Sequence, residues 1–135
     1  MTTANPGIRY DFADADWEAV KDEIREILIP LARMRRTISY SDLSMQIRTA
    51  YVHHRAPAFH EMLRELCQDE LDAGRPSLGV LVVKKQTGRC GAGFYKFAAA
   101  KGEDVTDPEA YWQREFEQVC EYWTTHEPVP DDEVV

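Results

Sequence analysis

The sequence has little cysteine, no long apolar run and almost no basic charge near its C-terminus, and each shortage removes a class of protein. Three cysteines, Cys67, Cys90 and Cys120, lie far apart in 135 residues. They form neither a disulfide framework nor a CxxC metal knuckle, so they read as reduced thiols in a cytoplasmic protein. Nothing approaches the roughly 18 consecutive apolar residues that cross a bilayer. The longest apolar stretch, residues 78–83, is strand-length. Residues 1–6 lack the basic start and apolar middle of a secretory signal, so no membrane association is expected. A chain of this size closes one core without a disulfide or a metal.

Charge is abundant but unevenly placed. The net charge is −8. Residues 1–32 carry 3 basic and 7 acidic side chains, residues 33–101 carry 12 and 6, and residues 102–135 carry 1 and 11. A basic middle between acidic ends is the asymmetry expected of a chain with an anionic partner.

The periodicities and turn residues predict four helices, one extended bridge and two strands. Residues 1–12 read as a loose arm. Trp17, Val20, Ile24, Ile27, Leu28 and Leu31 recur every three or four residues and predict a helix, with Asp14 or Asp16 as its cap and Pro30 kinking or ending it. Residues 37–39 are β-branched enough for one extended bridge. Ser39 and Asp42 then resemble a capping box for a short helix carrying Tyr40, Leu43 and Ile47. Pro57 opens a third helix buried through Phe59, Leu63, Leu66, Cys67 and Leu71, and Gly74 stops it. Residues 78–85 predict a strand, residues 86–93 a glycine-rich turn and residues 94–97 a return strand. Asp107 and Pro108 start a last helix with Trp112, Phe116, Val119, Cys120 and Trp123 inward. Residues 127–135 predict an acidic, disordered tail.

That order is the order of a winged helix. The expected fold is α+β: a helix-turn-helix, a β-hairpin wing and an additional C-terminal helix, all within residues 13–126. Its competitor is a plain layer of helices on a two- or three-stranded sheet.

Two stretches carry resemblances. TISYSDL at residues 37–43 resembles the Thr-Tyr-Gly-Asp-Leu type of sequence that opens the DNA-binding part of O6-alkylguanine DNA alkyltransferases and alkyltransferase-like proteins. The likeness of element order runs over roughly residues 37–100. Those enzymes carry Pro-Cys-His-Arg. This chain has no such tetrapeptide, its strand reading Val82-Val83-Lys84-Lys85, so alkyl transfer is not implied. GRPSLGVLVVKKQTGRCGAGF at residues 74–94 is similar to a block in short bacterial proteins of unassigned function, with Cys90 where that block typically has proline. This likeness implies a shared fold more than a shared activity.

In a winged helix the cations would converge on DNA. Arg55, His60 and Arg64 would approach a groove, while Arg33, Arg35, Arg36, Lys84, Lys85 and Arg89 would hold phosphates, with Arg48 and His54 in the turn between the helices. The expected function is that of a non-enzymatic accessory or regulatory protein binding double-stranded DNA. A protein-interaction module on the same scaffold is the alternative. Tyr111 and Tyr122 on the last helix would serve a homodimer.

Chemistry is scarce. The glycine-rich turn lacks the Gly-Lys-Ser/Thr ending of a phosphate loop and is not expected to open into a helix. His53, His54 and His60 have no HExxH pattern or cysteine partner, so no metal or other cofactor is implied. Val82 and Val83 stand where a nuclease strand ending in lysine needs acids. Cys90, expected in an exposed loop beside Arg89 and Lys85, is the one candidate nucleophile, but no base is ordered next to it.

Overall fold

The computed structural model describes residues 8–10 and 12–126. The predicted tail, most of the predicted arm and any structure they hold lie outside the described residues. The end of the arm is ordered as a tight hairpin, β1 (Ile8–Arg9) against β2 (Phe12–Ala13), and Tyr10 stacks on Trp17 with ring centroids 5.8 Å apart.

Helix α1 (Asp14–Arg33) buries Trp17, Val20, Ile24 and Leu28 completely, as their spacing requires. Its N-cap is Ala13, and neither Asp14 nor Asp16 caps it; both lie in the first turn, where acids suit the dipole. The helix also runs through Pro30 instead of ending there. Pro30 and Glu26, whose carbonyl it leaves without a donor, are both exposed. The end comes at Arg35, which takes a left-handed φ of 57° while the Arg36 N–H reaches back to Leu31 O at 2.9 Å.

Strand β3 (Ile38–Ser39) leads straight into α2 (Tyr40–Gln46), and Ser39 Oγ accepts from Asp42 N at 3.1 Å, the predicted cap. Helix α3 (Pro57–Asp72) begins at its proline. It stops at Gly74, whose φ of 80° only glycine adopts without cost, as Arg75 N bonds to Glu70 O. A 3-10 turn (Leu78–Leu81) and β4 (Val82–Val83) follow. All five apolar residues of that stretch are buried, yet only two of them are strand. Gly79 is required by packing: a Cβ there would lie 2.5 Å from Cys67 Sγ on α3.

The wing is absent from the described residues. Residues 94–97, expected to return as a strand, lie within α4 (Ala92–Ala100). Phe94, Phe97 and Ala98 fit a helical repeat as well as an alternating one, and three consecutive alanines favour the helix. The turn before α4 closes on itself, with Lys84 N bonded to Arg89 O at 2.9 Å and Gly88 N to Lys84 O at 2.8 Å. The edge of β4 pairs instead with β3 in parallel, Ile38 opposite Val82 and Ser39 opposite Val83. A parallel pair needs a long crossover, here α2 and α3. The winged-helix expectation is therefore corrected to the competing one: helices packed around a two-stranded sheet within the α+β class.

Helix α5 (Pro108–Thr125) is capped by Asp107 Oδ1 accepting from Ala110 N. It packs on α1 and on the 3-10 turn, and Trp112 Nε1 donates to Val80 O at 3.1 Å. Tyr111, offered above to a dimer surface, is buried with its ring 5.7 Å from Phe94, so that surface loses one of its two tyrosines. Ion pairs built on the buried Lys21 and Glu70, unforeseen from the sequence, join α1 to α3. Lys21 meets Asp69 at 2.8 Å and Glu65 at 3.2 Å, and Glu70 is shared by Arg25 and Arg75. No helix among the described residues is long and apolar enough to cross a membrane.

Candidate anion-binding cleft

Between α3 and the start of α4 lies an open cleft of about 620 Å³. One wall is the N-terminal half of α3 and the turn before it. In that turn Ala56 N bonds to His53 O and Arg55 N to His53 Nδ1, while the His53 and His54 rings stack at 4.4 Å. Pro57 then starts α3, whose four-residue repeat puts His60 and Arg64 on one exposed face. The other wall is Gly91, Ala92 and Gly93, followed by the half-buried rings of Phe94 and Phe97.

Tyr40 ties the walls together. Its Oη accepts from Gly91 N at 3.0 Å, and its ring centroid lies 5.7 Å from that of His60. Burial, above all, pushes its phenol up, so it stays a neutral hydroxyl. Lys84 leaves the end of β4 with its side chain beside Gly91; its Cδ is 3.9 Å from where a Cβ on Gly91 would sit.

The electrostatics separate the predicted cations. His54, Arg55, His60, Arg64 and Lys84 all line the cleft. Arg64 is paired there with Glu61, Nε to Oε1 at 3.1 Å. Arg55 and Lys84 have no ion-pair partner among the described residues. His54 is held below its ordinary imidazole value, first by desolvation and then by His53, Arg55, His60 and Lys85.

The other six candidates lie outside this cleft. Arg33 Nε donates to Trp123 O at 3.2 Å and Arg35 pairs with Glu117, so both serve the junction of α1 with α5. Arg36 is exposed beside them. Arg48 donates its backbone N–H to Glu23. Lys85 is 3.6 Å from Asp42. Arg89 grips both oxygens of Glu109 and lies 3.9 Å over the Trp112 ring; that grip holds the Glu109 carboxyl at about 2.

Sequence reasoning missed Tyr40, Phe94 and Phe97 as cleft residues. Tyr40 read as one member of an apolar helix face, and the two phenylalanines were assigned to a strand. It also placed Cys90 in an exposed loop. Cys90 is buried, its Sγ 3.5 Å from Gly79 O and Val80 O, and burial pushes the thiol up to about 12. A reactive thiol there is corrected accordingly. In the folded protein Cys90 should alkylate with iodoacetamide at pH 8 about a thousandfold more slowly than a free cysteine peptide. Mass spectrometry after timed labelling measures this, and a rate equal to that of the peptide would contradict the buried thiol. Among the described residues no cluster of three His, Cys, Asp or Glu side chains is placed to hold a metal.

Comparison with protein-family models, with curated proteins and with solved structures finds no match. Fold and cleft define a small, mainly helical α+β domain with a cationic, aromatic-walled groove.

Proposed function

We propose that the chain is a non-enzymatic nucleic-acid-binding protein, an accessory or regulatory factor, that takes phosphates in the cleft between α3 and α4. One observation carries the reading. Arg55, Lys84, His54 and His60 meet at one cleft with no carboxylate bonded to any of them among the described residues, in a chain whose net charge is −8. A cluster of cations in a chain of net charge −8 draws a polyanion to that cluster.

The expectation of duplex DNA relied on a wing and on a helix that carries Arg55, His60 and Arg64 into a groove. His60 and Arg64 instead form the wall of a groove that also exposes parts of Phe94 and Phe97. Cations beside aromatic rings suit single strands, whose unpaired bases stack on those rings. A single strand is therefore the favoured ligand.

Fluorescence anisotropy with a labelled oligonucleotide of about 10 nucleotides tests this. Affinity should exceed that for the matching duplex and fall as salt rises. Phosphate favours the charged imidazole, and His54 titrates below its ordinary value near 6.5. Affinity should therefore climb as pH drops from about 8 to about 5.5. Failure of both oligonucleotides to bind at low salt would remove the proposal. A protein partner would then be the better account, favoured by Met45 and Tyr51, which are 81% and 76% exposed between β3 and α3.

A further inference from the structure

The α4 end of the cleft holds more anion-seeking groups than a passing phosphodiester uses. The turn after β4 does open into a helix, against the expectation from sequence, and it does so through Gly91, Ala92 and Gly93. The chain still lacks the Gly-Lys-Ser/Thr ending, so triphosphate chemistry is not implied. The arrangement that remains is a cavity wall with several donors.

Among the described residues the N–H groups of Ala92 and Gly93 have no hydrogen-bond partner, as befits the first turn of a helix with no side-chain cap. Nothing lies within 4 Å of where a Cβ on Gly93 would be, so the approach is open. Lys84 stands beside Gly91, and His60 lies across the Tyr40 ring. Tyr40 Oη already accepts from Gly91 N, and its own proton has no acceptor among the described residues. The cavity, with a lysine, a histidine and a tyrosine hydroxyl on its walls, is the site; the helix end adds two donors to it.

We infer that this end of the cleft holds the terminal phosphate of a nucleic-acid strand, with the adjoining base against Phe94 and Phe97. The inference rests on the nucleic-acid reading above. A phosphomonoester presents three free oxygens and a charge of about −1.5 to −2 at neutral pH. A bridging diester presents two free oxygens and one charge, too few for the donors gathered here. The volume, about 620 Å³, lies in the usual range for small-ligand pockets, about 300–1,000 Å³, and suits a nucleotide at a strand end.

The test uses single strands of one sequence bearing a 5′-phosphate, a 3′-phosphate or hydroxyls at both ends. One phosphorylated strand should bind about tenfold more tightly than the hydroxyl strand, the scale of a charge-assisted hydrogen bond in a pocket. Ala92→Pro removes one N–H at the position where helices accept proline best, and Gly91, with φ −76° and ψ 174°, already has the extended backbone that precedes proline. Lys84→Gln removes an exposed charge without touching the core. Either substitution should bring the ratio close to one. Equal binding of all three strands by the unaltered protein would overturn the terminal-phosphate site and leave nucleic-acid binding standing. No binding of any strand would overturn both. A tenfold preference that survives both substitutions would place the phosphate elsewhere and overturn the inference. Thymidine 5′-monophosphate competing as well as the phosphorylated strand would assign the pocket to free nucleotides instead.

Discussion

Glu70→Ala should cost the folded protein about 3 kcal/mol and lower its melting temperature by roughly 10 °C. Glu70 is 1% exposed on α3 and accepts from Arg25 Nε at 2.9 Å and from Arg75 Nε and Nη2 at 2.8 and 2.9 Å. It joins α1, α3 and the turn that stops α3. Removing it leaves two partly buried guanidiniums without a counter-charge, which costs more than the pair contributes. Both arginine side chains keep about 30% exposure, 32% for Arg25 and 27% for Arg75. Water therefore relieves part of the loss, and the lower end of the range for buried pairs applies. Glu70→Gln, which keeps the shape and one acceptor, should cost less than Glu70→Ala.

The same residue sets a pH signature. Burial pushes the Glu70 carboxyl up, and the hydrogen bonds from Arg75 and Arg25 more than offset it, leaving the value below the ordinary 4.5. A carboxylate depressed on folding stabilises fully above its unfolded value and loses that contribution as pH falls through the folded one. The gap between native protein and Glu70→Gln should thus be full at pH 7 and shrink below about pH 4. Urea denaturation at the two pH values measures it. A pH-independent gap would mean that the charge on Glu70 is not what stabilises the junction.

Reversing the free cations of the cleft should have the largest effect on binding. Arg55→Glu combined with Lys84→Glu should weaken single-strand binding about a hundredfold at low salt and make its salt dependence shallower by about two phosphates' worth. The matching change at the far end of α1, Arg33→Gln with Arg35→Gln, should move affinity by less than about twofold, because those side chains already engage Trp123 O and Glu117. Equal losses from the two pairs would return the interface to the broad basic surface expected from the sequence.

Much of the fold was legible because its signals are local. The spacing of Trp17, Val20, Ile24 and Leu28 specified α1 and its buried face. Ser39, Pro57, Gly74 and Asp107 marked helix ends through hydrogen bonds and backbone preferences that act within four residues. His60 and Arg64 were placed on the exposed side of α3 by the same periodicity. Cys67 and Cys120 read as core residues, and both are buried.

The failures share a cause. Whether residues 94–97 extend or coil depends on a partner strand, and β4 found its partner in β3, far back in the chain. Cys90 is covered because the 3-10 turn and Trp112 close over it, and no neighbouring residue announces that. Arg35 and Arg89 lost their freedom to Glu117 and Glu109, carboxylates 82 and 20 positions away.

By itself, then, the sequence determined where helices begin, which faces they bury and that cations concentrate in the middle half of the chain. Those properties follow from backbone geometry and from interactions a few residues long. Only the tertiary structure decided which cations stay unpaired and that five of the eleven candidates share a groove with Tyr40, Phe94 and Phe97. Pairing between distant charges and strands is set by how the helices dock, and docking is a property of the whole packed core.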